Sequence, residues 1–264
     1  MRLGIIGTGQ IGGMLASAYA GTNLYHLTTI NRTRSKADAI REKYPEQVSV
    51  ATTTEAVIEY ADVLFLCLKS ADTRTWLANW GQLLDENQIL ISTSSQVALS
   101  ELESQSLALA AKVIPSVTQT ALTGYILYTT GQRFDESTRD TLHQLLARIG
   151  NPLAIAENET RIYADLTSCG PAFFAFIVQL MATAAEHKGV PAVTAESILV
   201  ETMDGLIRLL KEKEYSLQEV IQKISVPGGV TEAGIDLLRT DAPLLFTDLF
   251  DATARRHRDI DAAT

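Results

Sequence analysis

Little in this sequence invites metal or thiol chemistry. Its 264 residues include two cysteines, Cys67 and Cys169, and four histidines. The cysteines are far apart and form neither a metal-ligand spacing nor a disulfide framework, which suits a reducing compartment. Basic charge is also short. Lys plus Arg is 22 against 31 for Asp plus Glu, a formal charge of −9. Without a basic field the chain is not expected to bind nucleic acid. At the N-terminus, Met1-Arg2-Leu3-Gly4-Ile5-Ile6-Gly7 meets glycine before an apolar signal core can form. The longest apolar stretch, 170–185, holds Gln179 and ends at Glu186-His187. It is shorter than the roughly 20 residues that cross a bilayer. These absences point to a soluble cytoplasmic protein with no membrane partner. Internal repeats, low-complexity segments and a Gly/Pro-rich linker are missing too.

What is present is globular composition, 46% hydrophobic and 20% charged. At roughly 150 residues per domain the length suits one large or two modest domains. The first half alternates short apolar runs with helical patterns. Strands are expected at 3–6, 24–30, 48–51, 63–68, 89–92, 112–114, 125–129 and 152–156, with helices at 10–19, 35–43 and 54–60. Alternation of this kind predicts a parallel sheet with helices on both faces. After about residue 160 the period becomes helical throughout: 171–188, 194–213, 217–224, 232–239, and another helix from Asp241-Ala242-Pro243. Ser216 and Glu219 form a capping box for the third of these. The expectation is an α/β chain with a doubly wound domain over 1–158 and an all-helical domain over 159–264. The helix containing Ala172-Phe173-Phe174-Ala175-Phe176-Ile177-Val178 is apolar on every side. Such a helix is either a central core helix or a subunit interface.

Gly7-Thr8-Gly9-Gln10-Ile11-Gly12 has the spacing G-x-G-x-x-G between an expected strand and an expected helix. That context suits a dinucleotide. Gly7 allows the tight turn, Gly9 lets a pyrophosphate approach, and Gly12 lets helix and strand pack closely. Free N–H groups and the positive helix end then hold the phosphates. Taken alone, the same glycines would also serve an ordinary turn. NAD binders usually place a carboxylate after the second strand to hold the ribose 2′-hydroxyl. Here the stretch reads Asn31-Arg32-Thr33-Arg34-Ser35. Two guanidinium groups with no opposing carboxylate favour NADP(H) over NAD(H).

Further motifs complete a resemblance: Leu68-Lys69 after the fourth strand, Gly170-Pro171-Ala172 at the start of the long helix, and Pro227-Gly228-Gly229-Val230-Thr231. With the glycine motif, and over essentially the whole length, the chain resembles the pyrroline-5-carboxylate reductases. The resemblance implies a Rossmann domain, a helical dimerisation domain and NAD(P)H-dependent reduction of a cyclic imine to proline. It implies a homodimer or larger homo-oligomer built through the helical domain. Leu68 and Lys69 would border the cofactor. Pro115, Cys169, Gly170, Gly228, Gly229, Val230 and Thr231 would border the imino-acid substrate, with Lys69 and Thr231 serving the chemistry. In this picture the glycine-rich segment holds the substrate carboxylate and the Thr231 hydroxyl bonds the ring nitrogen.

The departures cluster on the substrate side. The family's Met-Pro-Asn-Thr-Pro is Ile114-Pro115-Ser116-Val117-Thr118 here, Ser-Gly-Ser-Gly-Pro is Thr167-Ser168-Cys169-Gly170-Pro171, and Ser-Pro-Gly-Gly-Thr-Thr is Val226-Pro227-Gly228-Gly229-Val230-Thr231. Lys69 is followed by Ser70 where the family has proline. The pattern is similar to paralogues encoded in late-competence operons of Gram-positive bacteria. It leaves two alternatives open: reduction of another small carboxylate-bearing imine or carbonyl compound, and a non-catalytic dinucleotide-binding protein acting through its dimer surface. Hydride transfer to an imine needs no catalytic histidine, so His26, His143, His187 and His257 are read as packing or surface residues. No metal site is expected. Two local readings complete the picture: Thr231 caps a helix starting at Glu232, and Glu157-Asn158-Glu159 is a solvated loop.

Overall fold

Val63–Leu66 shows how the sheet is built. All four residues are buried. Val63 and Phe65 join a core on one side of the sheet, with Leu3, Ile5, Leu15 and Tyr19. Leu64 and Leu66 join a second core on the other side, with Val57, Trp76, Leu77 and Leu90. A strand apolar at every position is buried on both faces, as parallel sheets require.

The computed structural model describes residues 1–262. Eight strands form one sheet: β1 (Arg2–Ile6), β2 (His26–Ile30), β3 (Val48–Val50), β4 (Val63–Leu66), β5 (Ile89–Ser92), β6 (Leu109–Ile114), β7 (Tyr125–Thr130) and β8 (Asn151–Ala154). Their order is β3-β2-β1-β4-β5-β6-β7-β8. Between them run α1 (Gln10–Gly21), α2 (Arg34–Lys43), α3 (Thr54–Tyr60), α4 (Ser70–Trp80), α5 (Leu99–Gln105) and α6 (Glu136–Leu146). The chain reverses direction across the sheet between β1 and β4, the switch point where doubly wound sheets bind ligands. One pairing departs from the expected parallel sheet: β7 runs antiparallel to β6. Only residues 115–124 join them, and a parallel crossover needs about a dozen residues or more.

After β8 the backbone stays helical through a 3-10 turn (Glu157–Glu159), α7 (Thr160–Ala164), a π turn (Asp165–Cys169) and α8 (Gly170–Glu186). The compact units nevertheless divide later than this change of period, a first unit built on Met1–Cys169 and a second of Gly170–His257. The early helical turns hold to the sheet. Ser168 Oγ donates to the Pro115 carbonyl at 2.9 Å. Glu157 is not a solvated loop residue: its Oε1 accepts from buried Lys112 Nζ at 2.8 Å and from the Leu99 N–H at 3.0 Å. A buried ammonium group needs such a partner.

The second unit comprises α8, α9 (Ala192–Glu212), α10 (Leu217–Ile224) and, as far as His257, α11 (Val230–Ala262). The capping box is present, with Glu219 N–H donating to Ser216 Oγ at 3.2 Å and Ser216 N–H to Glu219 Oε2 at 2.8 Å. The two helices expected at 232–239 and from Asp241 are one helix, with Pro243 inside it. Proline removes one N–H bond and crowds one carbonyl, a small loss within a helix of 33 residues. Because α11 begins at Val230, Thr231 sits in its first turn and is not its cap. The reading of α8 as a central core helix does not hold within one chain, where Phe174 and Phe176 are about 60% exposed. The run Glu157–Glu186 is long and apolar enough to cross a membrane by length and composition alone, because it continues the shorter stretch seen in the sequence.

Candidate active site

The glycine loop joins β1 to α1 at the switch point. Gly7 has φ +92°, a left-handed conformation that favours glycine, and its N–H donates to the Ile30 carbonyl at 2.9 Å. A Cβ on Gly12 would lie 1.9 Å from the Gly7 carbonyl oxygen, whereas a Cβ on Gly9 would meet no heavy atom within 4 Å. Gly12 is therefore required for packing, and Gly9 leaves open space at the helix end. α1 starts with no side-chain cap and no acidic residue in its first turn, so its N–H groups face that space unopposed. Thr8 is buried, while Gln10 and Ile11 lie exposed on the first turn.

Asn31 ties this loop to the end of β2. Its Oδ1 accepts from the Thr8 N–H and its Nδ2 donates to the Thr33 carbonyl, both at 2.9 Å. It is a positioning group whose amide is already committed at both ends. Beside it opens a cavity of about 490 Å³, bordered by Gly7, Asn31, Arg32, Thr33 and Leu68 among the expected residues. Lys69 lies next to Leu68, exposed, at the N-cap of α4. Arg34 departs from expectation. Its Nε faces Asp38 Oδ2 at 3.5 Å and it does not border the cavity.

The sequence reading missed the opposite wall, which α4 supplies through Asp72, Thr75, Trp76, Asn79 and Trp80, and it missed Lys36. A signal existed in the Trp76/Trp80 pair, spaced one helical turn apart. It could not be used without knowing which edge of the sheet α4 borders. The cavity and the open helix end suit a dinucleotide: glycines where backbone must approach, two cations at the β2 end, and an apolar wall.

Around the other expected residues of the first unit, Pro115 opens a loop ordered by Gln119. That buried amide donates to the Thr123 carbonyl at 3.0 Å, and its oxygen accepts from the Ser116 N–H. Ser168 links the loop to the π turn that contains Cys169. Arg161 Nη2 lies 3.5 Å from Cys169 Sγ and also binds the buried Asp165 carboxylate. Burial disfavours the Arg161 charge, but the hydrogen bond and charge of Asp165 more than offset it and raise its pKa. Cys67, beneath the glycine loop, is no nucleophile. Burial pushes its thiol up to about 12, against a lowering hydrogen bond with Thr93.

In the second unit, Gly170 begins α8 and is buried. Gly228 has φ +75° and Val230 is 93% exposed. The Gly228 N–H donates to Glu232 Oε2 at 2.7 Å. The turn's amides are thus not all free, since a carboxylate of the chain itself occupies one. Among the described residues no group of three His, Cys, Asp or Glu side chains is arranged to hold a metal.

Comparison with known proteins agrees with both halves. Residues 157–260 match the family described as pyrroline-5-carboxylate reductase dimerisation, and residues 2–96 match NADP oxidoreductase coenzyme F420-dependent. The chain is 32% identical to ComE operon protein 4 of Bacillus subtilis (strain 168), over 98% of this chain and 96% of that protein. It is 24% identical to the pyrroline-5-carboxylate reductase of Corynebacterium melassecola, over 88% of each. The fold is similar to that of a pyrroline-5-carboxylate reductase from Coxiella burnetii, with TM-score 0.87 at 22% identity over 97% of both chains. It is also similar to the Plasmodium falciparum pyrroline carboxylate reductase solved with NADP bound, with TM-score 0.82 at 19% identity over 100% of this chain and 97% of that one. A glycine loop at the switch point of a doubly wound sheet, a helical unit matching the dimerisation family and a full-length relative together mean that the chain belongs to the pyrroline-5-carboxylate reductase family.

Proposed function

We propose that this protein is an NADP(H)-dependent reductase of a small cyclic imine bearing a carboxylate, of the pyrroline-5-carboxylate type, acting in the cytoplasm as a homodimer. The observation that supports this best is the cavity beside the glycine loop. Two cations border it, and Asn31 stands where NAD enzymes usually carry a carboxylate. When bound, the cofactor would supply the hydride to the imine carbon. The backbone of residues 7–12 would hold its pyrophosphate, Asn31 would fix the loop, and Leu68 and Lys69 would border its reacting end. A division of labour follows, with cofactor binding in residues 1–158 and substrate binding with dimerisation in 159–264.

On the substrate side, Pro115, Cys169, Gly170 and the segment Gly228-Gly229-Val230-Thr231 are the proposed contacts. A protonated imine is already electrophilic, so the protein's task is orientation and charge placement. The Thr231 hydroxyl would accept from the ring N–H⁺, and Lys69 would add positive charge near an anionic substrate. NADPH oxidation by the purified protein, followed against cyclic imines and keto acids, tests the reading. Thr231→Ala should lower kcat/KM by about five- to 150-fold, roughly 1–3 kcal/mol, with NADPH affinity unchanged. Thr231→Ser should keep most of the activity.

The Glu232 contact favours a second reading, a substrate without a carboxylate. A carboxylate approaching the Gly228 amide would meet the negative charge of Glu232 and lose one donor. In that case the unmodified protein should prefer the carboxylate-free imine, and Glu232→Gln should shift the preference toward the carboxylate. If no imine or carbonyl compound oxidises NADPH, a non-catalytic dinucleotide-binding role replaces both.

A further inference from the structure

Three cations follow β2 at alternate positions: Arg32, Arg34 and Lys36. The sequence pattern pairs the two arginines, but the structure separates them. Asp38 draws Arg34 onto the surface of α2, with Arg34 Nε 3.5 Å from one carboxylate oxygen and Arg41 Nη2 3.1 Å from the other. Arg32 and Lys36 both border the cavity, and neither has an ion-pair partner among the described residues. α2 begins between them. Its Thr33 cap makes no side-chain bond, and no acidic residue lies in its first turn, so nothing opposes the positive helix end. Among the described residues Asp72 is the single carboxylate bordering the cavity, and α4 carries it.

The facing wall is held in place. Trp80 Nε1 donates to Glu55 Oε1 at 3.1 Å, and its ring lies against buried Trp76, with centroids 5.9 Å apart and planes at 37°. An aromatic ring fixed at its polar edge offers a flat surface at small entropic cost.

We infer that Arg32 and Lys36, not Arg32 and Arg34, grip the 2′-phosphate of NADP(H), and that the Trp80 ring is the wall against which the adenine lies. The inference rests on the cofactor reading above and sharpens it. A phosphate between an ammonium and a guanidinium group gains two charge-assisted contacts. An arginine already paired with a carboxylate would have to give up that partner first.

The test uses the full-length protein with adenosine 2′,5′-bisphosphate and 5′-ADP, titrated by calorimetry and followed by tryptophan fluorescence. Lys36→Ala should weaken the bisphosphate about tenfold and leave 5′-ADP within about twofold. Arg34→Ala should leave both within about twofold. Either nucleotide should quench the fluorescence, and Trp80→Phe should abolish that quench although Trp76 remains. Because Lys36 is exposed, its replacement should leave the melting temperature unchanged, and Lys36→Gln should repeat the result. The inference is overturned if Arg34→Ala weakens the bisphosphate as much as Lys36→Ala. Equal weakening of both nucleotides by Lys36→Ala, or full quenching in Trp80→Phe, overturns it as well. If the unaltered protein binds neither nucleotide, the cofactor reading falls together with this inference. Binding governed by Arg34 removes this inference and leaves that reading standing.

Discussion

The two units bury their apolar residues very differently. In the first, strands and helices enclose a core on each face of the sheet, from Leu3, Ile5 and Phe65 on one side to Leu64, Leu66 and Leu90 on the other. In the second, the buried apolar residues are Ala182, Ala195 and Val220, while Phe174, Phe176, Leu180, Met181, Leu237, Leu244 and Leu245 are exposed. Similar proportions of apolar sequence thus have opposite fates. A sheet sandwiched between helices completes its own core. A few helices have too few layers to cover all their apolar sides and need another surface. The match of 157–260 to a dimerisation family supports a second copy of the chain as that surface.

The largest test of this contrast is inside the self-sufficient unit. Gly12→Ala would force a Cβ to 1.9 Å from the Gly7 carbonyl oxygen and 2.8 Å from Cys67 Cβ. It should cost about 3 kcal/mol of stability and lower NADPH affinity about a hundredfold, read by denaturant melts and calorimetry. The dependent unit comes next. If α8 forms the dimer interface, Phe174→Asp or Phe176→Asp should place an unpaired charge there and weaken the dimer at least tenfold, about 1.4 kcal/mol or more. Light scattering at micromolar concentration checks this, with NADPH binding expected to survive. A stable monomer for the unaltered chain would refute the comparison itself.

A smaller effect separates binding from folding. Gly9→Ala meets no neighbour in the protein, so the melt should not move. NADPH affinity should still fall about tenfold, because the methyl group intrudes where the pyrophosphate approaches. Smallest is a null result at Cys67. With its thiol pushed up to about 12, almost none is thiolate at pH 8, and a thiol alkylator should leave it unmodified in the native protein and label it after unfolding. The sign follows from burial. Because the folded pKa lies above the ordinary 9.0, ionising Cys67 opposes folding, so its contribution to stability falls as pH rises from about 9 toward about 12.

Local periodicity was enough for most elements. The strand at Ile89–Ser92 and the helices at Thr54–Tyr60 and Leu217–Ile224 agree with expectation to the residue, because apolar runs and, for the last, the Ser216 cap mark them without help from distant contacts. The helix α4 was not singled out, and with it the Trp76 and Trp80 wall was lost. The break expected between Arg239 and Asp241 did not occur, and the helix runs on through Pro243, since one missing N–H does not outweigh the rest of a 33-residue helix.

By itself the sequence determined the doubly wound first half, the helical second half, the glycine loop and the lack of a carboxylate after β2. Each of these is a property of neighbouring residues and their period. Tertiary structure alone decided which cations border the cavity, because Asp38 claims Arg34 one helical turn away while Lys36 borders the cavity with no ion-pair partner among the described residues. It decided that Glu232 folds back onto the Gly228 amide and that Glu157 neutralises the buried Lys112. Pairings between charges depend on where the backbone brings their side chains, and hydrophobic period contains no record of that.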